Sequence, residues 1–199
     1  MSVADHYFDR LFDGNPDPWA MRSRWYEQRK RDLTLAALPR PHYHRGLEAG
    51  CANGELALGL AERCHRLLCC DTSALAVREA RQCLQHLDQA EVRQARLPRQ
   101  WPTGRFDLIV ISELGYYLDL QDLRRLIAQA RGALAADGTL LACHWRHPIS
   151  ECPLDGDRVH RQLARQLQLP KLLRHVEADF VLEVWGTRAT SVAQREGLA

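Results

Sequence analysis

The residues with the clearest chemical purpose form the segment Glu48-Ala49-Gly50-Cys51-Ala52-Asn53-Gly54-Glu55. Gly50 and Gly54 let a backbone turn tightly and approach a ligand closely. Their G-x-x-x-G spacing is not the G-x-G-x-x-G of a dinucleotide loop, so a nicotinamide-dependent oxidoreductase ranks low. An acid, Glu48, stands two positions before the first glycine. A carboxylate there repels a pyrophosphate and suits a ligand that carries an ammonium and a sulfonium. Asp71 follows about twenty residues past Gly50, where a carboxylate can accept both hydroxyls of a ribose. The competing reading leaves Glu48 and Asp71 as helix caps.

Other groups could move a proton or orient an acceptor. Glu113, His144 and His147 follow two strand-like runs, on the edge where an open α/β sheet binds its ligand. A histidine, with an ordinary pKa of about 6.5, is a natural base there. Tyr116 and Tyr117 could position an acceptor or stack on a sugar ring. Each of these residues also has a structural reading, as a histidine bonded to a loop carbonyl or a tyrosine packed under the sheet. His144 and His147 have no third ligand at matching spacing, so no metal is expected. The densest basic run, Arg29-Lys30-Arg31, reads as a solvated helix face.

The elements that must carry these residues follow from periodicity. Ala4 to Phe12 reads as a short amphipathic helix, ended by the turn cluster Gly14-Asn15-Pro16-Asp17-Pro18. A second helix is expected from Ser23 to Leu38, stopped by Pro39 and Pro41. Strand and helix then alternate. Strands are expected at His44 to Glu48, Arg66 to Cys70, Glu91 to Gln94, Phe106 to Ser112 and Gly138 to His144. Helices are expected at Gly54 to Cys64, Ser73 to Leu87, from an Asp119 cap through Leu134, and at Asp157 to Gln168. The run Phe106 to Ser112 is almost continuously apolar, as a central strand covered on both faces requires. Leu172 to Arg188 reads as two strands broken near Ala178-Asp179, and so short a turn permits only antiparallel pairing.

Composition sets the outer bounds. The chain has 199 residues, 46% hydrophobic and 26% charged, enough for one domain with its own core. Its net charge of +2, with cations scattered among acids, gives no basic stripe, so a nucleic-acid partner is not expected. The seven cysteines form no C-x-x-C pair and several fall in apolar runs, which fits buried free thiols in a reducing compartment. The polar start Met1 to Arg10 is no signal peptide, and no apolar stretch approaches the roughly 20 residues of a membrane span. A cytoplasmic location is expected.

The chain resembles the class I S-adenosylmethionine-dependent methyltransferases, and more narrowly the nodulation methyltransferase (NodS-like) group. The narrower resemblance rests on Tyr7-Phe8-Asp9, Asn15-Pro16-Asp17-Pro18-Trp19 and Trp25-Tyr26-Glu27-Gln28-Arg29-Lys30. It continues through Glu48 to Glu55, Ser112-Glu113 with Tyr116-Tyr117, Cys143-His144-Trp145-Arg146-His147-Pro148, and the last strand with Trp185. It implies a Rossmann-like fold of the α/β class: a mostly parallel seven-stranded sheet with an antiparallel last strand and helices on both faces. Residues 1–41 would form an N-terminal helical lid on a core of residues 42–199, all one domain.

By the same resemblance Glu48, Gly50, Cys51, Ala52, Asn53 and Gly54 would line the methionine part of S-adenosylmethionine. Asp71, Thr72 and Ser73 would hold its ribose, and Arg96, Leu97 and Pro98 would flank its adenine. Ser112 and Glu113 would face the methyl group, while Trp19, Trp25 and Tyr26 would close over the cofactor. Glu113, His144, His147 and Tyr116 are the candidate catalytic groups. The acceptor implied is a small molecule, an amine of an amino sugar or a similar metabolite. Two positions depart from the family: Ala52 stands where a second glycine is usual, and Arg96 where an acid is frequent. Open alternatives are O-methylation of a small metabolite, RNA methylation, and a cofactor-binding homologue without turnover.

Overall fold

The computed structural model describes residues 1–199. Seven strands form one sheet in the order β3-β2-β1-β4-β5-β7-β6: β1 Tyr43–Ala49, β2 Cys64–Asp71, β3 Ala90–Gln94, β4 Phe106–Ser112, β5 Leu134–Trp145, β6 Lys171–Val176 and β7 Phe180–Gly186. The five strands β1 to β5 pair in parallel, whereas β7 lies antiparallel between β5 and β6. The turn at Ala178-Asp179 therefore makes the reversal expected of it. Strand order reverses between β1 and β4, which opens a ligand crevice at their carboxyl ends.

Both faces of the sheet are covered. Leu47, Ile109, Ile111 and Leu140 turn to one side, against Leu123, Leu126, Ile127 and Ala130 of helix α5 (Leu120–Ala133) and Val159 and Leu163 of α6 (Gly156–Leu167). Their neighbours Leu108, Val110, Leu141 and Cys143 turn to the other. There they meet Leu56, Ala57 and Leu60 of α3 (Glu55–Glu62) and Val77 and Ala80 of α4 (Ala74–Cys83). This alternation inside an unbroken apolar run is the period of two that a doubly covered strand must show.

The chain starts with α1 (Asp5–Phe12) and α2 (Trp25–Ala36), and a short α7 (Val192–Arg195), not foreseen from the sequence, closes it. Asp119 caps α5 as expected, accepting from the amides of Gln121 and Asp122. Several expected bounds move. α4 stops at Cys83 rather than Leu87, and Cys64 belongs to β2 instead of α3. β5 starts at Leu134, where the expected start was Gly138, because Leu134 pairs with Phe106 across a register shift. No helix is long and apolar enough to cross a membrane.

Candidate active site

β1 enters the crevice and releases the chain into α3 through a loop of left-handed residues. Gly50, Ala52 and Gly54 have φ of 82°, 47° and 87°. The amides of Gly50 and Cys51 both donate to the carbonyl of Cys70, which pins the loop to the end of β2. At Gly54 a side chain would also press on α4, since a Cβ would lie 3.2 Å from the backbone of Ala80. Ala52, where the resemblance expects a second glycine, adopts the conformation a glycine would, at a cost of roughly 1–2 kcal/mol. Its amide donates to Asp71 Oδ2 at 2.9 Å, and that of Ser73 to Oδ1 at 3.0 Å, so the acid after β2 is fixed by the loop after β1.

A cavity of about 330 Å³ lies over this edge of the sheet. Glu48, Gly50, Cys51 and Ala52 line it from β1 and its loop, Asp71 and Thr72 from β2, and Arg96, Leu97 and Pro98 from beyond β3. Ser112, Glu113, Tyr116 and Tyr117 line it from beyond β4, and Trp19 and Tyr26 from the N-terminal segment. Glu48 is 2% exposed, and its Oε2 has no hydrogen-bond partner. Burial pushes its pKa up to about 8, with a smaller push from Asp71, although the neighbouring Cys69 thiol offsets part of it. Burial also raises Asp71 above the usual carboxylate range against the pull of its amide donors.

Three expected cofactor-loop residues support the cavity from outside it. Asn53 is fully buried, donates to Asp17 Oδ1 at 3.0 Å, and so ties the loop to the N-terminal segment. Gly54 packs on α4, and Ser73 caps that helix while donating to Asp9 of α1. Trp25, expected over the cofactor, is 68% exposed at the start of α2 and does not line the cavity.

The acceptor side requires larger corrections. His144 faces away from the cavity, fully buried, and its Nε2 already accepts the backbone N–H of Gly115 at 3.0 Å. Its pKa is held well below the usual histidine range by burial, then by His160 and Lys30. It has no lone pair to offer an acceptor. His147 is exposed and hydrogen-bonds Asp179 at 2.8 Å, outside the cavity lining.

Glu113 and Tyr116 do meet in the cavity, where the Tyr116 hydroxyl donates to Glu113 Oε2 at 2.5 Å. The Trp145 amide donates to the same oxygen at 2.9 Å, and Lys30 Nζ to Oε1 at 2.8 Å. Glu113 itself holds a left-handed φ of 53°, the kind of backbone strain that gathers at functional sites.

Lys30 reverses the reading of Arg29-Lys30-Arg31 as a solvated face. Only 6% exposed, it lies between Glu113 and Glu27, 3.0 Å from the latter, with its ammonium 5.0 Å from the centre of the Tyr26 ring. Burial alone would lower its pKa, but the two carboxylates outweigh it and hold the ammonium above the usual lysine range. The signal for this placement is the helical spacing of Tyr26, Lys30 and Thr34, whose buried faces all turn to the cavity. Asp5 of α1 was also missed. It bonds Thr72 at 3.0 Å and Arg96 at 3.0 Å, and thus brings an acid to the third region, where the chain itself carries Arg96.

Comparison with known proteins points to a methyltransferase. A family model described as a methyltransferase domain matches residues 47–138. Nodulation protein S of Sinorhizobium fredii is 31% identical over 128 residues, 63% of this chain and 59% of that protein. That of Bradyrhizobium diazoefficiens is 31% identical over 127 residues, 63% of this chain and 61% of the relative. The chain thus matches less than two thirds of the length of these curated relatives.

Among solved structures, a provisionally assigned methyltransferase from Pseudomonas syringae is 58% identical, with a TM-score of 0.74. The match covers 82% of this chain and 99% of that one. The N-methyltransferase NodS of Bradyrhizobium japonicum WM9, solved with S-adenosyl-L-homocysteine, shares the fold at a TM-score of 0.80 and 24% identity, over 91% of this chain and 96% of that one. With an acidic glycine loop after β1, an acid after β2 and a match across 99% of a 58%-identical relative, the chain belongs to the methyltransferases and is similar, within them, to nodulation protein S.

Proposed function

We propose that the protein transfers a methyl group from S-adenosylmethionine to the amine of a small molecule, an amino sugar or a similar metabolite. The observation that carries this reading is the buried carboxylate of Glu48, a residue of the cavity wall whose Oε2 has no hydrogen-bond partner. A buried acid without a partner is costly, and a ligand ammonium is the group that completes it. Each oxygen of Asp71 accepts one amide and keeps a second lone pair for a ribose hydroxyl. Arg31, half-buried on the cavity wall and bonded to the carbonyl of Met21, is free to meet a carboxylate. The residues present therefore fit the cofactor.

When bound, the cofactor supplies a methyl group already activated on a sulfonium. What the chain contributes is alignment and exclusion of water, a type of contribution worth roughly 7–11 kcal/mol in favourable cases. α1 and α2 act as the lid, tied down through Asp5, Asp9 and Asp17 to Thr72, Ser73 and Asn53. A carboxylate offers about four lone-pair sites, and Glu113 has spent three of them on Tyr116, Trp145 and Lys30. The remaining one, on Oε1, can accept an acceptor N–H and orient the nitrogen lone pair toward the methyl group. Glu27, Lys30 and Glu113 sum to a formal −1, a balance that attracts an amine and repels an anionic oxygen acceptor. This favours N-methylation over methylation of a carboxylate or phosphate.

Calorimetric titration with S-adenosylmethionine and with NAD, beside an Asp71→Ala variant, tests the cofactor. Saturable binding of S-adenosylmethionine alone, lost in the variant, is expected, and binding of NAD instead would overturn the reading. Methylation assays with glucosamine, set against a carboxylate acceptor of similar size, test the acceptor class.

A further inference from the structure

Behind the acceptor side runs a buried polar chain that methyl transfer as described does not touch. It begins at the backbone N–H of Gly115, which donates to His144 Nε2 at 3.0 Å. His144 Nδ1 lies 3.1 Å from Nε2 of His160 on α6, and His160 Nδ1 lies 2.7 Å from Oε2 of Glu183 on β7. Glu183 is 2% exposed, and its other oxygen meets Lys171 at 2.5 Å and Arg174 at 3.3 Å, both on the edge strand β6.

The direction of each bond follows from the first. A backbone amide only donates, so His144 Nε2 is bare and its proton sits on Nδ1. That N–H donates to His160 Nε2, which leaves the His160 proton on Nδ1, aimed at a carboxylate that only accepts. Both imidazoles are then neutral, and the sequence of donors has one consistent solution. Apolar residues of the same volume would fill this space without the desolvation cost, so what the polar chain adds is direction.

We propose that His160 and Glu183 are positioning residues of the acceptor site, acting through His144 to fix the 3₁₀ turn Gly115–Tyr117 and so hold the Tyr116 hydroxyl on Glu113. The turn leaves no slack. A Cβ on Gly115 would lie 3.0 Å from His144 Nε2 and 2.5 Å from Val159, and the Tyr116 ring meets the His144 ring edge-on at 5.6 Å. The role rests on the reading of Glu113 and Tyr116 as acceptor-side groups, while the bond directions stand independently of it.

The test uses the isotope-labelled full-length chain near neutral pH. Imidazole nitrogen spectra are expected to show both His144 and His160 as neutral Nδ1–H tautomers, and an Nε2–H form of either would overturn the relay. In His160→Phe, exchange of the Gly115 amide is expected to quicken about tenfold, as loss of one buried hydrogen bond implies, with a displaced Tyr116 ring resonance. Affinity for S-adenosylhomocysteine should stay within about twofold, because Glu48 and Asp71 sit on other strands. His160→Gln, which supplies both an acceptor and a donor, is expected to restore the Gly115 and Tyr116 signals.

Unmoved signals in His160→Phe, or cofactor affinity falling in step with them, would refute a positioning role. If that variant does not fold, the wild-type tautomers and the Gln variant still decide. With glucosamine as acceptor, His160→Phe should lower kcat while leaving KM for S-adenosylmethionine unchanged. A wild type inactive on glucosamine would count against the proposed acceptor, and the spectroscopic result would still judge the relay.

Discussion

Replacing Glu48 with Gln should abolish a pH dependence of cofactor binding whose size the structure sets. Burial carries the Glu48 pKa from its ordinary 4.5 to about 8. Only the ionised form pairs with the ligand ammonium, whose own pKa is about 7.8 if it behaves as an ordinary α-amino group. At pH 6 roughly 1% of Glu48 is ionised and the ligand is nearly all ammonium; at pH 7 the fractions are roughly 9% and 86%. Their product rises roughly eightfold, which is about 1.2 kcal/mol of binding free energy, and it peaks near pH 8. Calorimetry across this range is expected to show that slope in the wild type, with proton release on binding, and a flat line for Glu48→Gln between pH 6 and 7.

The stability of the free protein should run the opposite way. A carboxyl whose folded pKa is raised stabilises the fold fully below its unfolded pKa near 4.5, and that contribution is lost as pH climbs toward 8. The thermal shift produced by S-adenosylmethionine should therefore widen from pH 6 to pH 8. A wild-type affinity independent of pH, or a slope that survives in Glu48→Gln, would refute the assignment of the unpartnered oxygen to the ligand ammonium.

Three further outcomes follow from the same geometry. Lys30→Met strands the carboxylates of Glu27 and Glu113 and should cost about 3 kcal/mol in denaturant unfolding, with Lys30→Arg milder. Gly54→Ala forces a side chain at φ 87° against the Ala80 backbone and should cost about 1–3 kcal/mol, with weaker cofactor binding by titration. Tyr116→Phe removes the 2.5 Å bond to Glu113 and should reduce turnover about tenfold while leaving cofactor affinity unchanged.

The sheet was legible because its signals are local. Phe106 to Ser112 announces a central strand by itself, and the brevity of the Ala178-Asp179 break dictates the reversal of β7. The loop after β1 was legible for the same reason, since Glu48, Gly50 and Gly54 lie within seven positions and the left-handed turn depends on that spacing. The acceptor side was not, because its partners are remote in sequence. Lys30 meets Glu113 across 83 residues, and His144 meets His160 only after α6 has folded back on the sheet. No local pattern says which nitrogen of His144 is free. The answer depends on Gly115, whose amide claims it, and that contact exists only once β5 and the 3₁₀ turn stand side by side.

The two halves of the cavity consequently handle charge in opposite ways, and the proposed placement of the ligands follows that contrast. On the cofactor side Glu48 is left with an unpartnered oxygen and a raised pKa, a state that persists at a cost unless a cation completes it. On the acceptor side Glu113 is nearly saturated by Lys30, Tyr116 and the Trp145 amide, so little is gained there by adding a full charge. On the proposed reading, a site built this way binds its cofactor by electrostatic completion and its acceptor by shape and by one directed hydrogen bond. Among amines, which that charge balance admits alike, acceptor selectivity should then respond to the placement of Tyr116 more than to net charge. If charge reversal at the cavity rim, for example Arg24→Glu, changed acceptor choice more than Tyr116→Phe does, that division of labour would be wrong.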